Sequence, residues 1–161
     1  MDNSKSDSQE DTKKFGFPAD LIHNNDRITD PSTFARENQA ASWLCLTGEE
    51  FAAMEGGISY SQVQQAVNQA ANIISDPPKE LNLDLARQHI AALDKLPRPT
   101  LVTCRMGPRS SAVAYMYSGL RAGADPADVI AEAEKNGAPF CNSGDLKDWV
   151  KSTIEILRND D

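Results

Sequence analysis

Apolar residues along this chain follow two habits. Some form short unbroken runs, which suit buried strands; others recur at i, i+3, i+4 and i+7, which suits a helix with one buried face. Trp43-Leu44-Cys45-Leu46, Asn72-Ile73-Ile74 and Leu101-Val102-Thr103 are of the first kind. Val63, Ala66, Val67 and Ala70 keep helical spacing after Ser59, and Ala86, Ile90 and Leu93 keep it after Leu83. Phe51 to Met54 has room for one helical turn. Ser110 to Tyr117 is rich in small and apolar residues, as a central buried helix requires, with Gly119 or Gly123 as its stop. Asp125-Pro126 is an N-cap and first-turn pair for a helix carrying Val129, Ile130 and Ala133, closed by Gly137. Leu146, Trp149, Val150 and Leu157 share one face of a last helix, from about Gly144 to Leu157. Pro77-Pro78, Pro97 and Pro99 break the pattern between elements.

Strands alternating with helices, followed by two further helices, predict an α/β fold with a short, mainly parallel sheet flanked by helices. Residues 1–14 have no large apolar side chain after Met1 and read as a disordered tail. Residues 15–42 read as an N-terminal arm, docked by Phe15, Phe17, Leu21, Ile22 and Phe34. The α/β domain proper then spans 43–161.

Composition narrows the partners. A chain of 161 residues fits one domain with a tail. Lys and Arg number 16 against 24 Asp and Glu, a net charge of −8. With no basic cluster, neither nucleic acid nor an anionic membrane is expected as partner. The N-terminus lacks the apolar core of a secretory signal, and no apolar run is long enough to cross a membrane. Three cysteines, Cys45, Cys104 and Cys141, are too few and too odd for a disulfide framework, which points to the cytoplasm or another reducing compartment. His23 and His89 are far apart in sequence and no Cys-x-x-Cys pair exists, so no metal or other cofactor is expected.

The chemistry concentrates between Thr100 and Ser111. A buried strand delivers Cys104 at its C-terminal end; Arg105, Met106, Gly107 and Pro108 form a tight loop; Arg109 and Ser110 open a helix. Open α/β sheets place their sites at this end of their strands. Loop amides and a helix N-terminus stabilise negative charge there. A cysteine so placed can titrate at ~3.5–7.5 instead of ~8.5 and act as a nucleophile. Arg109 offers a planar fork to a tetrahedral anion, and Arg105 adds positive potential. Ser110 or Ser111 can hydrogen-bond the sulfur or cap the helix. Cys45 and Cys141 read as inert small hydrophobes.

With four residues between Cys104 and Arg109, the loop is similar to that of rhodaneses, whereas protein tyrosine phosphatases have five there. The segment after the loop discriminates: Gly119 to Ala133 starts a second amphipathic helix, as phosphatase folds continue. The combination resembles the phosphatase-like domain of the beta-lactamase-hydrolase-like family over about Asn72–Gly137. That resemblance implies a three-layer cysteine-phosphatase-like domain and hydrolysis of a small phosphoester through a cysteinyl-phosphate. Cys104 would be the nucleophile, Arg109 the transition-state clamp, and Asp76 the general acid, with Arg105, Met106, Gly107, Pro108 and Ser110 lining the substrate. Asp84 and Glu80 are weaker acids for that role, and Asp76 could instead only start the turn at Pro77-Pro78. Thr103 stands where many phosphatases carry a histidine, and Pro108 removes one loop donor. Two other readings stay open: a rhodanese-like sulfurtransferase taking sulfane sulfur as a Cys104 persulfide, and a non-catalytic anion- or partner-binding module. A redox pair of Cys104 with Cys45 or Cys141 is a further option.

Overall fold

The computed structural model describes residues 15–55, 57–76 and 81–159. The tail at 1–14, Pro77-Pro78, Glu80 and the terminal Asp160-Asp161 lie outside the described residues, as does the side chain of Asp76. The elements run β1 (Leu21–His23), α1 (Pro31–Glu37), β2 (Ser42–Thr47), α2 (Glu49–Ala52), α3 (Tyr60–Ala66), β3 (Gln69–Asp76), α4 (Leu83–Lys95), β4 (Thr100–Thr103), α5 (Pro108–Ala122), α6 (Pro126–Lys135), a 3-10 turn (Pro139–Asn142) and α7 (Gly144–Arg158). The strands form one sheet in the order β1-β4-β2-β3, and every pairing is parallel.

Parallel strands need crossover segments, so helices cover both faces and the strands bury completely. Every residue of β2 and β4 is buried. Leu21, Leu44, Leu46 and Val102 face a core built with α4, α5, α6 and α7. Trp43, Cys45 and Leu101 face the opposite side, with Ala35 of α1, Phe51 of α2 and Val63 of α3. The result is the three-layer α/β architecture expected. Helix α5 is its centre, with every residue from Arg109 to Leu120 buried. A Cβ on Gly119 would lie 2.5 Å from Val129, so that glycine lets α6 pack closely and does not end the helix. Gly123, with φ of +70°, is the cap.

Two segments differ from their expected form. The arm contributes an edge strand and a helix: Leu21, Ile22 and His23 pair with Thr100, Leu101 and Val102. Phe17 also stacks on Tyr115 of α5, with ring centroids 4.3 Å apart. The helix after Ser59 ends at Ala66 and not near Ala70, because Val67 is extended and Gln69, Ala70 and Ala71 pair with Ser42, Trp43 and Leu44. Alanines fit either period, and sheet pairing with a buried strand overrides their helical preference. Thr103, the last residue of β4, pairs with Cys45 inside β2, so β4 releases the chain into the Cys104 loop beside β2.

Candidate active site

The loop from Cys104 to Arg109 joins β4 to α5 at the C-terminal edge of the sheet. Gly107 has a φ of +112°, a left-handed conformation that side chains resist. A Cβ there would also meet the Asn24 carbonyl oxygen at 2.6 Å. Glycine therefore serves twice, for the turn and for the close approach of the β1 exit. Pro108 follows at the first helical position, where its fixed φ suits the helix and its missing N–H has no intrahelical acceptor.

This geometry folds the loop around sulfur. The Gly107 N–H donates to Cys104 Sγ at 3.1 Å and the Ser110 N–H at 3.3 Å. Both donors belong to the start of α5, so the helix terminus directs its partial positive charge at the sulfur. Ser110 Oγ is 3.5 Å from Sγ, yet lies only 2.6 Å from Asn24 Oδ1, to which it donates. Cys104 is 4% exposed. Arg109 is also buried, 9% exposed, while Arg105 is half-buried and reaches Met54 Sδ at 3.9 Å. Met106 is open to solvent. Ser111 takes a structural part, donating to the Pro108 carbonyl and accepting the Phe140 N–H at 3.1 Å.

Asn24 is the residue that the sequence reading missed. Its Nδ2 donates to the Cys104 carbonyl at 2.9 Å, and its Oδ1 accepts the Cys104 N–H at 3.2 Å. With Ser110 on the same oxygen, one buried amide fixes both ends of the loop. The available signal was the apolar pair Leu21-Ile22, then His23 and the polar run Asn24-Asn25-Asp26, a short strand with a turn behind it. Thr103 also finds its purpose here: its hydroxyl accepts the Trp43 indole N–H at 2.8 Å.

Asp76 ends β3 and pairs with Thr47, so it reaches the same sheet edge as Cys104, with β2 between them. The register between β2 and β3 shifts just before this pair, and Asn72 Nδ2 bridges the irregularity to the Cys45 and Thr47 carbonyls. Its neighbour Ser75 is buried and lies 3.3 Å from Nε2 of His89. His89, fully buried, is pushed from 6.5 down to about 4, by burial first and by the Arg109 cation second. The cation at this site is therefore arginine, with histidine neutral. Asp84 sits exposed in the first turn of α4, bonded to Gln88.

The other cysteines lie elsewhere. Cys45 contacts the Thr47 hydroxyl at 3.3 Å, and burial raises its thiol above the ordinary range. Its side chain packs in the core on the sheet face opposite the Cys104 cluster. Cys141, in the 3-10 turn, is also raised by burial. In front of the loop, one cleft of about 580 Å³ is lined by Arg105, Met106, Pro108 and Arg109, with Leu81 and Asp145 across from them.

Comparison with solved structures gives the fold its class. A candidate phosphatase from Neisseria meningitidis Z2491 superposes with a TM-score of 0.62 at 11% identity, covering 87% of this chain and 97% of that one. Tk-PTP in its active form gives 0.59 at 13% identity, over 88% and 95%. The core catalytic domain of the PP-IP phosphatase SIW14 from S. cerevisiae, solved with citrate, gives 0.56 at 12%, over 87% and 86%. No family profile and no curated protein matches the chain. The chain thus has the cysteine-phosphatase fold. Among the described residues, no helix is long and apolar enough to cross a membrane.

Proposed function

We propose that this protein is a cysteine-dependent phosphatase acting on a small phosphomonoester, nearest in kind to the phosphatase-like domain of the beta-lactamase-hydrolase-like family. The observation that carries the reading is the sulfur of Cys104 held by the Gly107 and Ser110 amides at the start of α5, the helix on which Arg109 is buried. Amide donors and a helix N-terminus favour a thiolate over a thiol. The same donors then suit the oxygens of a phosphoryl group, and Arg109 adds bidentate charge as the transition state forms.

In this mechanism Cys104 Sγ attacks phosphorus, and the phosphorus–oxygen bond to the leaving group breaks. Asp76 gives its proton to the departing alkoxide, a step worth about 10²–10⁴-fold. The carboxylate then takes a proton from water, which attacks the cysteinyl-phosphate and frees inorganic phosphate and the thiolate. Placement of Asp76 and Cys104 at one sheet edge supports this division of labour. Arg105, Met106, Gly107, Pro108 and Ser110 frame the bound group. Cys45, Cys104 and Cys141 form no disulfide among themselves, which suits a reducing compartment.

The loop length supports a second reading, sulfur transfer through a Cys104 persulfide, which needs no general acid. A paired assay separates the two: hydrolysis of an aryl phosphate against sulfur transfer from thiosulfate to cyanide. Wild type is expected to hydrolyse the phosphate, with Cys104→Ser inactive and Asp76→Asn slowed at least about a hundredfold. Hydrolysis that survives Cys104→Ser removes the cysteine from the mechanism. Sulfur transfer without hydrolysis selects the persulfide, and inactivity in both assays leaves an anion-binding module.

A further inference from the structure

Two clefts meet at the anion loop. The first, described above, contains Arg105 and Arg109; the second, of about 590 Å³, runs along α7 past Asp148, Trp149 and Ile156. Both are lined by Leu81, Arg109 and Asp145. Asp145 and Asp148 stand three residues apart on α7 and are exposed to solvent. Among the described residues, the charges lining this double cleft are therefore two guanidinium groups and two carboxylates.

That balance sets what can be bound. In the proposed mechanism one phosphate dianion would occupy the loop and draw on both arginines. A second phosphate on the same substrate would extend into a cleft whose remaining charges are Asp145 and Asp148, where like charges repel. An apolar leaving group meets no such penalty. It can cover Leu81 and the exposed Met106 beside the loop, or Trp149 and the exposed Ile156 farther along.

We infer that Asp145 and Asp148 are specificity-determining residues that restrict this site to substrates with one phosphate on an apolar or aromatic leaving group, and reject polyphosphorylated substrates. The inference rests on the phosphatase reading and narrows it. Repulsion of this kind acts mainly on capture of the substrate and fades as salt screens it. It is a device for discrimination by exclusion, distinct from tighter contacts to the preferred substrate.

The test compares kcat/KM for 4-methylumbelliferyl phosphate and for inositol hexakisphosphate at two ionic strengths. It uses wild type, Asp148→Asn, and the double variant Asp145→Lys with Asp148→Lys. Wild type should favour the aryl phosphate by at least about a hundredfold, and charge reversal should raise the relative rate on inositol hexakisphosphate at least about tenfold at low salt. Asp148→Asn should move the ratio in the same direction by less, and high salt should shrink every difference. Equal wild-type rates on the two substrates, or a ratio unmoved by charge reversal, overturns the inference and leaves the phosphatase reading standing. If neither substrate is turned over, the phosphatase reading fails. Competition between phenyl phosphate and inositol hexakisphosphate for binding to wild type then decides the selectivity separately, and preferential binding of the hexakisphosphate overturns it.

Discussion

Cys45 and Cys104 lie on neighbouring parallel strands, and Cys45 pairs with the residue just before Cys104. Both are buried, at 0% and 4% exposure. Burial therefore does not distinguish them; hydrogen-bond polarity does. Cys45 faces the carbonyl and hydroxyl of Thr47, groups that accept a thiol proton, within a strand whose amides are already committed to the sheet. Cys104 sits one residue beyond its strand, where Gly107 and Ser110 turn their N–H groups toward sulfur. The same side chain thus faces acceptors inside the sheet and receives two N–H bonds at its edge. In the proposed mechanism the strand only delivers the sulfur, and the loop amides are what would make it a nucleophile.

The largest way to break this contrast is to take away the loop and leave the cysteine. Gly107→Ala places a methyl group 2.6 Å from the Asn24 carbonyl and imposes a left-handed φ on alanine. The expected cost is about 3 kcal/mol of stability, read by urea unfolding. Aryl phosphate hydrolysis should fall by at least about a hundredfold, since in the proposed mechanism the amide that Gly107 gives to sulfur would also bind the phosphoryl oxygens. A variant with wild-type activity would show that the loop amides do not hold the anion.

Much of this was legible in advance, for identifiable reasons. The strand before Cys104, the glycine turn and the helix behind it are contiguous, so local pattern suffices to place them. The α6 and α7 stripes, Val129 with Ile130 and Leu146 with Trp149, were equally plain because amphipathic helices repeat their signal over several turns. Asn24 was not legible because its role depends on pairing across 80 residues of sequence. A three-residue edge strand carries too little period to announce itself, and a polar residue after it looks like any turn. The boundary between α3 and β3 failed for the opposite reason: Ala70 and Ala71 prefer helix on their own, and pairing with β2 overrides that preference. Asp145 of α7 lines one cleft with Pro108 and Arg109, a juxtaposition that only the packed fold provides.

A second test asks which cation supports Cys104. His89 lies near Arg109, and a protonated imidazole there would share its work. Its folded value of about 4 lies below the free value of 6.5, so the unfolded chain binds the proton first. Stability from this residue is whole above pH 6.5 and is lost as pH falls through that window toward 4. The full loss is about 3 kcal/mol. Urea unfolding between pH 7.5 and 4.5 should show this slope in wild type, and His89→Gln should flatten it. A wild-type stability that is level across the window would mean that His89 takes up its proton as readily in the folded protein as in the unfolded chain.

The smallest effect belongs to the cysteine inside the sheet. Cys45→Ala removes a sulfur from a packed face beside Trp43 and Leu101 and leaves a small cavity, at a cost of about 1–2 kcal/mol. Its Thr47 contacts are lost, but no group in the Cys104 loop changes partner. Hydrolysis of an aryl phosphate should stay within about twofold of wild type. Native protein treated with iodoacetamide at neutral pH should be modified at Cys104 and spared at Cys45, with inactivation tracking the Cys104 adduct. If Cys45→Ala abolished activity while the protein stayed folded, the two cysteines would act as a unit, and the division between filler and nucleophile would be wrong. If alkylation struck Cys45 first, the two donated N–H bonds would not be what makes a buried sulfur reactive in this fold.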